Sequence, residues 1–228
     1  MPTIVFASSK GGAGKTTAAT VLASELARQG IDKDIGITLI DADPNQHSAK
    51  WALKDGCPKN INLVPNINEE TILDTIDEAE TKNPFVLVDL EGTASTTVTY
   101  ATSRADLVII PCQGSQDDAD EAAKTINLIF NSRRLIGRNI PFSVLLTRTH
   151  PAIIPKGLKF IINEFKSASV DMFRTSLIDR EAFRTVRSFG GTVNDLTKSD
   201  VSGAEKAAVN AEKYAYEVME KLEYMRAN

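Results

Sequence analysis

An excess of basic charge is missing from this sequence, and so are paired cysteines, clustered histidines and long apolar runs. The 228 residues carry 26 Lys or Arg against 30 Asp or Glu, a net charge of -4 at pH 7. Taken over the whole chain, that balance speaks against a protein built to coat nucleic acid. The two cysteines, Cys57 and Cys112, are too few for a disulfide framework or a zinc site. The two histidines, His47 and His150, lie too far apart to suggest a metal pair or catalysis. No apolar run approaches the roughly 20 residues that a membrane-spanning helix needs. The first nine residues are apolar, with no basic start and no cleavage site, so they do not read as a signal peptide. A cytoplasmic location is expected. With 42% hydrophobic and 25% charged residues, the composition is that of a globular protein with one core, a single domain over residues 1–228.

Charge is unevenly placed. Residues 133–187 hold eleven Lys or Arg and four acids, a local charge of +7 that leaves -11 on the rest. That asymmetry suggests a basic face on an acidic body; a solvated surface with chance clustering is the plain alternative.

Strand-like and helix-like segments alternate. Thr3–Ala7, Ile35–Ile40, Ile61–Val64, Phe85–Leu90, Leu107–Pro111 and Phe142–Leu146 are apolar runs of strand length. Helical spacing follows at Lys15–Gln29, His47–Lys54, Glu69–Glu80 and Asp118–Leu135, where Ala122, Ile126, Ile129 and Phe130 form a stripe. A last helix is expected over about Ala204–Met225, docked through Tyr214, Val218, Leu222 and Met225, with the tyrosines at 214, 216 and 224 explained by packing. The strands are continuous apolar runs, which fits an α/β fold with a doubly wound, mostly parallel sheet covered on both faces. Ligands of such sheets sit beyond the carboxyl ends of the strands. Ser8–Thr17, Asp41, Asp43 and Asp89 all fall there.

Between the first strand and the first helix runs Ser8-Ser9-Lys10-Gly11-Gly12-Ala13-Gly14-Lys15-Thr16-Thr17. Glycines let backbone N–H groups turn inward around a polyphosphate, and the helix N-terminus adds its positive dipole end. Lys15 is placed to reach the β- and γ-phosphates of a nucleotide, and Thr16 to offer a hydroxyl to Mg²⁺. Lys10 through Thr17 form the expected ATP-binding segment. Asp89 ends an apolar strand, where a carboxylate is costly to bury without a partner such as a metal shell.

Ser9 stands where the common phosphate loop has its first glycine, and a second lysine, Lys10, precedes the glycine pair. This pattern resembles the deviant Walker A motif of the ParA/MinD ATPase family. The resemblance spans nearly the whole chain. It takes in Asp41-Ala42-Asp43-Pro44, Phe85–Asp89, Val108–Pro111 and the Phe173–Arg180 region; the last two look like those of small plasmid partition ATPases, and the chain is also similar to VirC1-like proteins. It implies a P-loop NTPase of the deviant Walker A type using ATP and Mg²⁺. The implied catalytic residues are Lys15, Asp43 to position the attacking water, and Lys10 reaching across an ATP-dependent homodimer. Lys10 as a second phosphate lysine within its own chain, and Asp43 as a helix cap, are the alternatives. Thr16, Asp41 and Asp89 are the implied metal-site residues, with Asp41 supporting either the metal or the switch. Many relatives place a proline pair after Asp89; here Leu90-Glu91-Gly92 follows, and Gly92 is a candidate hinge.

The resemblance leaves three classes open. A partition ATPase would dimerise on ATP, bind nonspecific DNA, stay with the nucleoid, and hydrolyse slowly until a ParB-like partner acts. Lys156, Lys159, Arg174, Arg180, Arg184 and Arg187 are the candidate DNA contacts. Positioning of a protein cargo or of transferred DNA would use the same cycle. A MinD-like membrane-cycling ATPase needs a basic amphipathic terminal helix, whereas here the last helix is acid-rich, so no membrane partner is expected. A metabolic P-loop enzyme is the third class. With Thr3 opening the first strand, no helix-turn-helix domain precedes the sheet, and sequence-specific operator binding is not expected.

Overall fold

Seven apolar segments form strands: β1 (Thr3–Phe6), β2 (Ile37–Ala42), β3 (Ile61–Val64), β4 (Phe85–Leu90), β5 (Leu107–Cys112), β6 (Phe142–Thr149) and β7 (Leu177–Ile178). A computed structural model describes residues 1–93 and 95–227 of the chain. The strands pair in parallel in the order β3-β2-β4-β1-β5-β6-β7. Parallel pairing needs crossovers, supplied by α1 (Lys15–Gly30), α2 (His47–Ala52), α3 (Ile72–Lys82), α4 (Thr96–Arg104), α5 (Gln116–Ile136) and α6 (Lys156–Ser167), with α7 (Glu181–Phe189) and α8 (Ala204–Ala227) following β7.

Two apolar layers flank the sheet. One joins Leu22 of α1, Trp51 of α2, Phe183 of α7 and Tyr214 of α8. The other joins Ile76 of α3, Val98 of α4, Ile126 of α5 and Phe165 of α6. Strands β1, β2 and β5 are therefore buried along their whole length, which is why they read as unbroken apolar runs. β1 lies between β4 and β5, so the winding reverses beside it. The crevice at its carboxyl end is where such sheets bind ligands.

Several boundaries differ from the sequence reading. β2 runs on through Ala42, which puts Asp41 inside the sheet and in register with Asp89 of β4. β6 continues to Thr149 through a bulge at Arg148, whose φ is +52°. Helix α4 was hidden by its β-branched composition, TTVTYATSR; it is started by Ser95 accepting from the Val98 N–H and held by burial of Val98 and Ala101. Helix α6 was also missed, although Leu158, Ile161 and Phe165 mark its buried face. Phe130 is off the buried stripe of α5. It is exposed, edge-on to Phe142, with the Arg133 guanidinium over its ring. Of the three tyrosines of α8 assigned to packing, Tyr214 is fully buried against Phe173, whereas Tyr216 and Tyr224 stand exposed. No helix among the described residues is long and apolar enough to cross a membrane.

Candidate nucleotide-binding site

The segment Ser8–Gly14 arches from β1 to α1. Gly12 and Gly14 hold φ of +79° and +107°, values that favour glycine, and they turn the loop back on itself. Gly14 caps α1 with no side-chain hydrogen bond, so the first-turn N–H groups are left for a ligand. The loop forms one wall of a cleft of about 460 Å³, in the range of small-molecule sites. Lys15, Thr16 and Thr17 rise from its floor, and Asp43, Asn45 and His47 face them from the β2–α2 loop. Glu91 and Gly92 follow β4; Arg148 and Arg187 close the far side.

Lys15 is 5% exposed, and its Nζ lies 3.4 Å from the Lys10 carbonyl oxygen, a backbone acceptor and not an acid. Burial lowers the pKa of its ammonium group, while the charges of Asp89, Asp43 and Glu91 act in the opposite direction. A buried cation over a ring of inward-turned N–H groups is suited to an anion.

Asp89 is the sharpest anomaly. It is fully buried, and neither carboxylate oxygen has a hydrogen-bond partner among the described residues. Burial first, and then the Asp41 carboxylate beside it, push its pKa up to about 7; Thr16, Lys15 and Ser48 pull the other way. A divalent cation held partly through water would satisfy such a group, and the adjoining Thr16 hydroxyl fits the same role. Among the described residues no cluster of three or more His, Cys, Asp or Glu forms a closed metal cage. The donor set therefore suits Mg²⁺, which keeps waters and takes further oxygens from phosphates.

Asp41 is held by backbone groups of the segment that follows β2. Its Oδ1 accepts from the Asp43 N–H at 3.0 Å and its Oδ2 from the Ala49 N–H at 2.8 Å, pinning the loop to α2. Asp43 lines the cleft and is held by Asn45, whose backbone N–H and side-chain Nδ2 both donate to Oδ1. Gln46, at φ +51°, braces the loop from outside: Nε2 donates to the carbonyls of Asp41 and Asp43, and Oε1 accepts from the Asn66 N–H.

Lys10 is turned out of its own cleft. Its Nζ donates to Asp118 Oδ1 at 2.7 Å, and Asp118 is the third residue of the capping box that starts α5. That hydrogen bond raises the Lys10 pKa above its ordinary value. Gly92 is pressed against the phosphate loop so closely that a Cβ there would lie 2.7 Å from the Gly11 nitrogen.

The basic segment does not make one face. Lys156 and Lys159 lie exposed on α6, on one side of the sheet, while Arg180, Arg184 and Arg187 accompany α7 on the other. Arg174 is engaged by Glu217 and Glu220 of α8, and Arg184 by Asp179 and Glu181. Arg187, expected on an outer DNA-binding face, instead points into the cleft, because α7 turns it to the side of Phe183 and Val186 that meets α1. Arg148 and Glu91 are cleft residues to which the sequence reading gave no role. The bulge in β6 was the signal for the first, and it is visible only in the fold.

Residues 1–225 match the family model of the VirC1 protein. The chain belongs to the VirC1 family. This VirC1-family chain is 36% identical to Protein ParA of Rhizobium radiobacter, over 97% of its own length and 98% of that protein's. It is 27% identical to virC1 of Rhizobium rhizogenes, over 83% and 82% of the two chains. The fold is shared with the ATP complex of a McdA protein from Cyanothece. That structure superimposes with a TM-score of 0.75 at 17% identity, covering 96% of each chain.

Proposed function

We propose that this protein is an ATPase that closes into a homodimer on ATP, binds DNA without sequence preference in that state, and releases it after hydrolysis. In this reading residues 1–228 act as one ATPase domain. Its identity to Protein ParA and to virC1 favours DNA segregation or the handling of transferred DNA as the task. A second reading, positioning of a protein cargo, is favoured by its 24% identity to the carboxysome distribution protein A of Halothiobacillus neapolitanus.

In the proposed cycle the loop from Lys10 to Thr17 binds the triphosphate, with Lys15 on the β- and γ-phosphates. Thr16 and Asp89 would hold Mg²⁺, the latter through water; the ion neutralises charge on the phosphates when bound. Asp43 orients the attacking water, and the Asp41, Asn45 and Gln46 contacts keep it aimed. Gly92, in contact with the loop, reports the state of the γ-phosphate to the segment after β4.

The observation that carries the proposal is the division of labour between two lysines on one loop. Lys15 is buried over its own cleft, and Lys10 is tied to Asp118 outside it. A lysine placed there serves a neighbouring copy better than its own nucleotide, which makes hydrolysis conditional on pairing. DNA contacts fall first to Lys156 and Lys159, which take part in no ion pair among the described residues. A ParB-like or other adaptor protein stimulates turnover, and the dimer resides on the nucleoid.

The test compares oligomeric state and DNA binding with ATP, a non-cleavable analogue, ADP and no nucleotide. A dimer and salt-sensitive DNA binding are expected with the analogue and not with ADP or without nucleotide. A monomer under every condition would overturn the reading; a dimer that ignores DNA would favour the protein-cargo alternative.

A further inference from the structure

Two arginines meet in the cleft with no acid in ion-pair contact among the described residues; the Asp89 carboxylate acts on Arg187 only through its charge at longer range. Arg187 reaches in from α7, and its buried Nε has no hydrogen-bond partner among the described residues. Its Nη1 approaches Thr17 Oγ1 at 3.4 Å, a long contact to a neutral hydroxyl. Arg148 comes from β6, where the bulge and a left-handed backbone, unusual for arginine, re-aim its side chain toward the same space. Neither guanidinium forms an ion pair among the described residues.

A half-buried cation facing another cation is unfavourable unless an anion belongs between them. The position of Arg187 is nevertheless firmly set. Lys54 Nζ donates to the Arg187 and Ser188 carbonyls at 2.8 and 2.6 Å, and the Trp51 indole N–H donates to the Gly191 carbonyl at 3.2 Å. The fold holds this guanidinium beside Thr17, on the side of the cleft away from Asp43. Gly14, Thr17, Arg148 and Arg187 also border a small side pocket backed by Thr147 and Phe183. In the ATPase reading, a nucleotide with its β- and γ-phosphates at Lys15 would continue past Thr17 toward that pocket.

We infer that Arg187, assisted by Arg148, is a nucleotide-binding residue that clamps the α-phosphate end of the polyphosphate from within the same chain. This deepens the ATPase reading and rests on it. The arginine fork matches phosphate oxygens in a way a point charge does not. It also ties nucleotide binding to α2, because α7 and the end of α2 are joined through Lys54 and Trp51.

The experiment titrates ATP and ADP into wild type, Arg187→Gln, Arg187→Lys and Lys15→Ala, and records thermal unfolding with and without nucleotide. Arg187→Gln is expected to weaken ATP and ADP alike by about tenfold or more. Its nucleotide-free midpoint should equal or exceed that of wild type, because an unpaired cation is gone, while the nucleotide-induced rise shrinks. Arg187→Lys keeps the charge without the fork and should fall between the two; it also serves if the Gln variant does not fold. Unchanged affinity in the folded variants overturns the inference, as does a loss confined to ATP, which would belong to the γ-phosphate. A lower nucleotide-free midpoint with an unaltered nucleotide response would make Arg187 merely structural. If wild type itself bound no ATP and matched Lys15→Ala, the ATPase reading would fail first. If Lys15→Ala lost binding and Arg187→Gln kept it, only the clamp would fall.

Discussion

Lys10 and Asp118, 108 residues apart in the chain, are joined by a 2.7 Å hydrogen-bonded ion pair. Asp118 is mostly buried and also receives the Ser115 hydroxyl, so the acid is fixed and the lysine is drawn to it. In the proposed dimer, Lys10 must leave this partner to reach another nucleotide. Asp118→Asn removes the hold and part of the α5 cap together, so Ser115→Ala, which disrupts the cap alone, is its control. Both variants should lose about 1 kcal/mol of folding stability in chemical denaturation. Only Asp118→Asn should also dimerise with a non-cleavable ATP analogue at a lower protein concentration, measured by light scattering. Identical association curves for the two would show that the pair does not restrain Lys10.

Asp89 gives a pH signature in the metal- and nucleotide-free protein. Its pKa of about 7 in the fold lies above the ordinary carboxylate value of 3.8. The folded state therefore holds a proton that the unfolded state releases, and stability falls as pH rises from about 4 to about 7. Asp89→Asn removes that liability. Its unfolding free energy at pH 8 should exceed that of wild type by an amount on the order of 3–4 kcal/mol, and the difference should vanish near pH 4. The same variant should lose the stabilisation that Mg²⁺ with ATP gives wild type. Urea denaturation across pH reads both effects, and a pH-independent difference would refute the assignment.

Gly92 has no room for a side chain. Its would-be Cβ meets the Gly11 nitrogen and Cα at 2.7 and 2.8 Å, backbone atoms that cannot turn aside. Gly92→Ala should therefore displace the phosphate loop and weaken ATP binding at least about tenfold, with a smaller loss of overall stability, about 1–3 kcal/mol. Calorimetric titration decides; wild-type affinity would mean the loop gives way freely.

Among the described residues the Asp43 carboxylate accepts only from the Asn45 N–H and Nδ2, both at Oδ1, so its removal leaves the sheet intact. Asp43→Ala should bind ATP, fail to hydrolyse it, and accumulate as a dimer. Asn45→Ala keeps the carboxylate but loosens it, and should reduce turnover only partly. Phosphate release and gel filtration measure the two properties. Full turnover in Asp43→Ala would move the water-orienting role to another acid of the cleft, with Glu91 the first candidate.

Consecutive residues determine what a chain can announce on its own. The turn of the glycine-rich loop between β1 and α1 was legible because its glycines act through local backbone geometry, and β1, β2, β4 and β5 were legible because burial on both faces leaves unbroken apolar runs. Trp51, read as a packing residue, is indeed buried, with its N–H on the Gly191 carbonyl. Helix α4 was not legible, since threonine-rich segments prefer strand and only burial of one side against the sheet makes this one a helix. Distance in sequence hid the rest. Arg187 looked like an outward basic residue until the packing of α7 on α1 turned it into the cleft, and Lys10 looked uncommitted until α5 brought Asp118 to it. Local spacing states which groups are present; which of them are buried, paired or left facing a ligand depends on contacts between distant segments, and those exist only once the sheet has assembled.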